Sequence, residues 1–258
     1  MWLYPRILAH RGGGSLAPEN TLAAIRCGLA HGFHAVEFDV MLSSDSIPVL
    51  MHDPQFGRTV PGKGRVCETE ARVLVEMDAG SWFGKEFAGE PVPTYEQAVN
   101  FCKENRIWMN VEIKPSPGHE VQTGKVVGEW TRRLFAAELE RGDVTALPLF
   151  SSFSFEALEA AKAASPGIPR GFLVTTIPSD WQERLRALEA AVLHTNHKYL
   201  TQKQARAVKE AGYGLFCYTV NTAARAREIF GCGVDAFCTD SINLIGPDPA
   251  SIGETNHV

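Results

Sequence analysis

Eight short apolar segments, rich in β-branched and aromatic residues, alternate with helical patterns from one end of the chain to the other. The predicted strands cover residues 6–10, 34–40, 106–113, 146–151, 169–174, 190–195, 214–220 and 234–239. Capping boxes predict helix starts at Thr94-x-x-Gln97, Ser179-x-x-Gln182 and Thr201-x-x-Gln204. Eight strand–helix units predict an α/β protein with the architecture of a (β/α)8 TIM barrel. A doubly wound open sheet is the alternative, because strand counts from one sequence are prone to error.

The length of the chain, 258 residues, suits one barrel domain, and its 45% hydrophobic content is enough to fill a large core. One segment breaks the alternation: residues 54–93 are rich in glycine and proline and carry Trp82, Phe83 and Phe87. Such a segment is too irregular for a barrel unit and too aromatic for a disordered linker. We therefore expect a single domain over residues 1–258, with 54–93 as an ordered insertion after the second strand–helix region.

Charge and composition exclude several classes of partner. The chain has 25 Lys and Arg against 30 Asp and Glu, a formal net charge of −5 without long runs of either sign. This argues against nucleic acid or an anionic membrane as the main partner. Arg6 interrupts the first apolar run and leaves no room for a signal peptide, and no run approaches the roughly 18 apolar residues of a membrane span.

The six cysteines are scattered without a C-x-x-C pair, which favours a reducing compartment. Together with the lack of a targeting or spanning segment, this pattern predicts a soluble, cytoplasmic protein without stable membrane insertion. The sequence carries no signal for its oligomeric state.

Polar residues follow or end the first three predicted strands, on the rim where barrel enzymes hold their active sites. Glu37 and Asp39 are two residues apart and so point to the same side of the second strand, and Glu112 and Lys114 repeat this spacing on the third. The other polar groups at this rim are His10 and Arg11 after the first strand and His52 and Asp53 after a short extra strand.

Three carboxylates that face one point repel each other unless a cation lies between them. Glu37, Asp39 and Glu112 offer only oxygen ligands, which suit a hard divalent ion, Mg²⁺ or Ca²⁺, with Mn²⁺ as a further candidate. Arg11 and Lys114 add positive charge beside this site, and a guanidinium group matches phosphate oxygens. The combination predicts a phosphate ester as substrate.

His10 and His52 suit a general acid and a general base, because imidazole titrates near working pH and phosphoester cleavage needs both functions. The glycines at 12–14 let the chain turn sharply after His10 and keep bulky side chains away from the phosphate. Each of these motifs alone is a common surface feature. Their convergence on one end of one barrel is what favours a catalytic site.

At this point several segments resemble a known family, the glycerophosphodiester phosphodiesterases, and most closely its bacterial cytosolic type. The resemblance runs from Ile7 to about Ile245. It is carried by "AHRGGGSLAPENTLAAI", "AVEFDVMLSSDSIPVLMHDPQFGRTVPGKG", "MDAGSWFGKEFAGEPVPTYEQAV", "MNVEIKP", "CYTVNT" and "GVDAFCTD". The motifs occur in the family's order and at suitable separations, which makes the resemblance specific.

The resemblance implies a TIM barrel with a segment inserted after the His-Asp pair, and hydrolysis of glycerophosphodiesters such as glycerophosphocholine and glycerophosphoethanolamine to glycerol 3-phosphate and an alcohol. It also implies roles for individual residues. These are a divalent cation on Glu37, Asp39 and Glu112, acid–base catalysis by His10 and His52, and phosphate contacts from Arg11 and Lys114. The chain departs from the family at Tyr218, where a Trp often precedes Thr-Val-Asn; an aromatic wall for the substrate remains, but its shape and polarity change.

Two other functions stay open on the sequence alone. A related phosphodiesterase of larger lipids, such as a lysophospholipase D, would need an apolar approach surface, for which Trp82, Phe83 and Phe87 are the candidates. A non-catalytic barrel that binds phosphoesters would usually have lost part of the site. His194 and His197 have a spacing that could suit a metal, but no carboxylate lies near them in sequence and we do not expect them to be ligands.

Overall fold

A computed structural model of the protein describes residues 2–252; Met1 and residues 253–258, which the sequence assigns to the single domain, lie outside the described part. The described strands are β1 (Ile7–Ala9), β2 (Ala35–Leu42), β3 (Pro48–Leu50), β4 (Trp108–Ile113), β5 (Leu149–Ser152), β6 (Arg170–Val174), β7 (Val192–Asn196), β8 (Gly214–Tyr218) and β9 (Ala236–Thr239). All except β3 run parallel to their neighbours.

The sheet closes on itself. β1 pairs with β9, with Ile7 beside Phe237, and also with β2, with Ala9 beside Val36. Within residues 2–252 the eight parallel strands therefore form a closed (β/α)8 barrel, which confirms the predicted fold and excludes the open doubly wound sheet. β3 is the short extra strand expected before His52 and pairs antiparallel with β2 outside the closed ring.

Helices cover the outside of the barrel. Their bounds are α1 (Leu22–Ala30), α2 (Ala71–Leu74), α3 (Tyr95–Glu104), α4 (Glu120–Leu134), α5 (Ala136–Arg141), α6 (Phe155–Ala164), α7 (Trp181–Leu188), α8 (Gln202–Glu210) and α9 (Ala223–Gly231). No helix among residues 2–252 combines the length and the apolar character that crossing a bilayer requires.

Two of the three predicted capping boxes are confirmed: Thr94 caps α3 and Thr201 caps α8, each with its glutamine partner. The third, at Ser179, is wrong. The N-cap of α7 is Asp180, one residue later, and within the described chain its side chain makes no cap bond. Instead, the Asp180 carboxylate accepts a hydrogen bond from Arg184 at 2.8 Å, so an ion pair along the helix replaces the cap.

The interior of the barrel is apolar at the N-terminal end of the strands and polar at the C-terminal end. Leu8, Ala35 and Trp108 belong to the inner apolar cluster, and Tyr4 stacks on Trp108 with ring centroids 4.6 Å apart. These side chains fill the barrel at the N-terminal ends of the strands. The space inside the barrel therefore opens at the C-terminal ends, where the candidate site residues lie.

Residues 54–93 lie between β3 and α3 and contain α2 and short 3₁₀ turns. They form a separate apolar cluster with the β2–β3 hairpin, built around Met41, Val49, Val66 and Leu74. The segment thereby packs beside the strand that carries two of the candidate metal ligands.

Candidate active site

Three carboxylates converge because β2 and β4 are neighbours in register. Glu37 pairs with Asn110 and Asp39 with Glu112, so the acidic side chains share one side of the sheet. A carboxylate oxygen from each of Glu37, Asp39 and Glu112 lies within 4.8 Å of the others, and all three residues are buried. A cluster of buried anionic oxygens at this spacing fits a hard divalent cation.

The electrostatics of the cluster show what such a cation would relieve. Burial, and then the charge of Asp39, raises the pKa of Glu37 to about 8. Burial and Asp39 also raise the pKa of Glu112. Burial alone would raise the pKa of Asp39, but Lys114 and Arg11 hold it at about 2. The protein thus keeps one carboxylate charged and makes the charges of the other two costly without a positive partner.

Two basic side chains border this cluster. The Lys114 ammonium lies 3.2 Å from Asp39 Oδ1 and 3.2 Å from Glu112 Oε1. The Arg11 Nε lies 3.6 Å from Asp39 Oδ2, and Arg11 Nη1 donates to Glu19 at 2.7 Å. Both cations can therefore meet an anionic ligand that lies over the carboxylates.

His10 is held by the loop that follows the adjacent strand β9. Its Nδ1 lies 2.6 Å from Asp240 Oδ1, just after β9, and its Nε2 lies 3.7 Å from Glu37 Oε2. Asp240 accepts a further bond of 3.0 Å from Asn221. An ionised carboxylate only accepts, so Nδ1 carries the proton and Nε2 is turned toward the acidic cluster. Although burial lowers the pKa of His10, Asp240 and Glu37 together raise it above its ordinary value.

His52 has a similar arrangement on a different loop. Its Nδ1 lies 2.6 Å from Asp53 Oδ1, and Arg58 Nε donates to Asp53 Oδ2 at 2.6 Å. Arg58 also forms two bonds to Glu19, the residue that accepts from Arg11. This network links the two sides of the site. Burial lowers the pKa of His52, and the nearby Lys114 and Arg11 charges add to this against the opposing effect of Asp39.

The glycine turn after β1 docks on the loop that carries Asp240. Arg11 and Gly14 both have positive φ, 49° and 57°. A Cβ at Gly14 would overlap the Asp240 carbonyl, so only glycine permits this approach. The Arg11 amide donates to Glu37 Oε2 at 3.0 Å, which ties the same turn to the acidic cluster.

One cavity of about 220 Å³ joins these groups. It is lined by every site residue predicted from the sequence, namely His10, Arg11, Glu37, Asp39, His52, Glu112, Lys114 and Tyr218. The Tyr218 hydroxyl donates to the Val174 carbonyl at 2.9 Å, and its ring meets Phe153 edge-on. Tyr218 therefore presents an aromatic surface to the cavity while its hydroxyl is used by the backbone.

Several residues around the site were not predicted. Asp240 ends the segment "GVDAFCTD", which indicated the last strand and the family resemblance but no site role, and its position directly after a strand was the available signal. The Asn20 side chain donates to Asp39 Oδ2 at 2.8 Å and accepts from the Asp39 backbone amide at 3.0 Å. The Asn20 backbone is left-handed, with a φ of 58°. His194 also lines the cavity, whereas His197 accepts a bond from Arg225 instead.

The chain is similar to one family of proteins over nearly its whole length. The profile of the glycerophosphoryl diester phosphodiesterase family matches residues 10–244. The glycerophosphodiester phosphodiesterase of Caldanaerobacter subterraneus is 30% identical over 248 residues, which cover 93% of this chain and 97% of that protein.

Solved structures give the same result. A phosphodiesterase from Oleispira antarctica, in complex with the product sn-glycerol-3-phosphate, is 36% identical with a TM-score of 0.85 over 96% of both chains. A glycerophosphodiester phosphodiesterase from Agrobacterium tumefaciens is 25% identical with a TM-score of 0.74, over 93% of this chain and 97% of that one. The chain belongs to the glycerophosphoryl diester phosphodiesterase family.

Proposed function

We propose that the protein hydrolyses glycerophosphodiesters such as glycerophosphocholine and glycerophosphoethanolamine to glycerol 3-phosphate and an alcohol, with one divalent cation held by Glu37, Asp39 and Glu112. Phosphodiester hydrolysis follows from family membership; the substrates, the cation and the residue roles are the proposal. The observation that carries it is the cluster of three buried carboxylates within 4.8 Å, in one cavity with two carboxylate-anchored histidines.

The phosphate would bind between the acidic cluster and the two basic side chains. Arg11 and Lys114 both lie within 3.6 Å of Asp39, and their donors suit phosphate oxygens. A divalent cation bound by the three carboxylates would supply Lewis-acid stabilisation of the negative charge that develops on the phosphate. Mg²⁺, Ca²⁺ and Mn²⁺ all fit the oxygen-only donor set.

His10 and His52 would transfer the protons. Because Asp240 and Asp53 each accept from a histidine Nδ1, the Nε2 atom of each ring is left to exchange a proton with a reacting group. One histidine removes the proton of the attacking oxygen as that oxygen forms a new bond to phosphorus and the P–O bond to the alcohol breaks. The other histidine gives a proton to the departing alcohol oxygen. Anchoring by carboxylates keeps both rings in the required tautomer.

Product analysis with the purified protein tests this proposal. We expect glycerol 3-phosphate and choline from glycerophosphocholine, in amounts that match, only when a divalent cation is present; EDTA is the control. Release of phosphocholine instead, or no release with Mg²⁺, Ca²⁺ or Mn²⁺, would contradict it. ³¹P NMR during turnover identifies the nucleophile, because a cyclic glycerophosphate forms only if the neighbouring glycerol hydroxyl attacks.

A lysophosphatidylcholine arm of the same assay addresses the larger-lipid alternative. Trp82 is 42% exposed and packs edge-on against Phe83, which lines a groove beside His10. If choline is released faster from lysophosphatidylcholine than from glycerophosphocholine, these aromatic residues mark the approach of a lipid and the small-substrate proposal is wrong.

A further inference from the structure

His194, on β7, is a buried polar side chain that the proposed mechanism does not use. It is 0% exposed, lines the same cavity as the carboxylates, and stacks on Phe216 with ring centroids 4.5 Å apart. Within residues 2–252, neither of its ring nitrogens has a hydrogen-bond partner. Burying an unpaired donor and acceptor is costly, so a group that enters the cavity is expected to satisfy them.

The position of this ring is built into the barrel. The ring edge that carries Nε2 occupies the space where a Cβ of Gly171, on the adjacent β6, would stand. Any side chain at residue 171 would displace the imidazole. Gly171 on one side and the Phe216 ring on the other therefore fix the orientation of His194.

Asn110 supplies a second unpartnered group in the same cavity. Its Nδ2 donates to Ser151 Oγ at 3.1 Å, which identifies Oδ1 as the free end of the amide. In the described part of the chain this oxygen is buried without a hydrogen-bond partner. Asn110 is the register partner of Glu37 and so lies directly beside the acidic cluster.

We infer that His194 and Asn110 form a polar subsite that binds the free hydroxyl groups of the substrate's glycerol moiety; this rests on the proposed function and deepens it. A neutral imidazole offers one donor and one acceptor, and the amide oxygen adds an acceptor. Hydroxyl groups are both donors and acceptors, so a diol matches this neutral set. A phosphate would instead need positively charged partners, and an ammonium group would need negatively charged ones.

Three observations support this assignment over others. Burial lowers the pKa of His194 to about 3, so the ring is neutral at working pH and can donate and accept at the same time. The metal-binding group found among the described residues comprises Glu37, Asp39 and Glu112, without His194. At the mouth of the cavity, Phe153 is 48% exposed, which leaves the outer end for the departing alcohol.

The test compares two substrates with the same leaving group. One is glycerophosphocholine and the other is its analogue in which hydrogen replaces the terminal glycerol hydroxyl; choline release reports both. We expect wild-type kcat/KM to favour glycerophosphocholine by roughly tenfold to a hundredfold, because the analogue leaves buried polar groups unpaired. His194→Phe keeps an aromatic ring against Phe216 without nitrogens, and should remove most of this preference by lowering kcat/KM for glycerophosphocholine.

His194→Gln retains a donor and an acceptor and should keep part of the preference. His34→Phe, at an exposed histidine outside the cavity, is the matched control and should leave the ratio unchanged. If wild-type protein releases choline from glycerophosphocholine but shows no preference over the analogue, the subsite inference is wrong and the proposed function stands. The subsite inference is also wrong if His194→Phe keeps the wild-type ratio of kcat/KM for the two substrates. His194→Leu takes its place in this comparison if the Phe variant does not fold. If wild-type protein releases no choline with any of the three cations, the proposed function fails and the inference fails with it.

Discussion

At the scale of single residues, the site depends on carboxylates that hold other side chains in place. Asp240 accepts a hydrogen bond from His10, and Asp53 accepts one from His52. The Asn20 side chain donates to the Asp39 carboxylate and accepts from the Asp39 backbone amide. The His10–Asp240 and Asn20–Asp39 contacts join residues on, or just after, different strands, whereas Asp53 directly follows His52 in the chain. The orientation of His10 therefore depends on closure of the barrel, while that of His52 is set within its own loop.

Replacing either histidine should abolish most turnover. Because a positioned acid or base contributes roughly 10² to 10⁴ in rate, we expect His10→Ala and His52→Ala each to lower kcat by about that factor. Circular dichroism and thermal melting would check that both variants fold. Normal kcat in either variant would remove that histidine from the mechanism.

Asp240 should act through His10. We expect Asp240→Ala to lower kcat by about tenfold or more while KM changes little, because the imidazole loses the acceptor that fixes its tautomer. Loss of the carboxylate also removes a cause that raises the pKa of His10, so the limb of the pH–rate profile that reports His10 should move to lower pH. A profile that keeps its shape, with only protein stability reduced, would contradict this positioning role.

The buried, neutral His194 should make the fold sensitive to acid. Its pKa is about 3 in the folded protein against 6.5 for the free side chain, so the unfolded chain binds a proton that the folded one does not between these values. The stability that depends on a neutral His194 is thus complete above pH 6.5. As the pH falls toward 3, the free energy of unfolding decreases by up to about 1.4 kcal/mol per pH unit. Urea unfolding between pH 7 and 4.5 should show a shallower loss in His194→Phe than in wild type or His34→Phe; parallel curves would contradict the burial argument.

At the scale of secondary-structure elements, the turn after β1 is the most constrained connection. Gly14 has φ 57° and no room for a Cβ against the Asp240 backbone. We expect Gly14→Ala to lower both the free energy of unfolding and kcat, because the turn must move away from Asp240 and take His10 with it. Gly231, at the end of α9, is the control: a Cβ there meets no described atom within 4 Å, and alanine should be neutral or slightly stabilising. Equal effects of the two substitutions, measured by urea unfolding and kcat, would show that the Gly14 contact is unimportant.

Local sequence signals predicted most elements but not the contacts between them. The barrel strands are short runs of mostly apolar residues, and the caps at Thr94 and Thr201 need only neighbours in sequence, so both could be predicted. The capping box predicted at Ser179 is wrong because Asp180, one residue later, is the N-cap of α7, and its carboxylate pairs with Arg184. The hydrogen-bond partners of Asp240 and Asn20 could not be predicted, since they depend on which segments meet when the sheet closes.

At the scale of the whole molecule, cation binding and folding should be coupled. Without a cation, the raised pKa of Glu37, about 8, means that the folded protein keeps a proton that the unfolded chain releases above about pH 4.5. The stability of the cation-free protein should therefore fall as the pH rises from 4.5 to 8. A bound divalent cation would stabilise the ionised Glu37 carboxylate. The rise in Tm on adding Mg²⁺ or Ca²⁺ should therefore be larger at pH 8 than at pH 5.5.

Calorimetry of EDTA-treated protein measures this coupling, with Glu112→Gln as the variant that should lose the cation-dependent rise in Tm.

The same scans test our proposal that residues 1–258 form one domain with 54–93 as an insertion. The apolar cluster of 54–93 includes Met41 of β2, so one cooperative transition is expected. Two separate transitions would contradict the single-domain proposal.

The most direct test of the central claim measures glycerol 3-phosphate release from glycerophosphocholine as a function of free divalent cation, for wild type and Glu112→Gln. The buried carboxylate cluster predicts turnover that EDTA abolishes and added cation restores, with saturation at a much higher cation concentration in Glu112→Gln. Turnover that persists in EDTA, or identical cation dependence in the two proteins, would contradict a catalytic metal site at Glu37, Asp39 and Glu112.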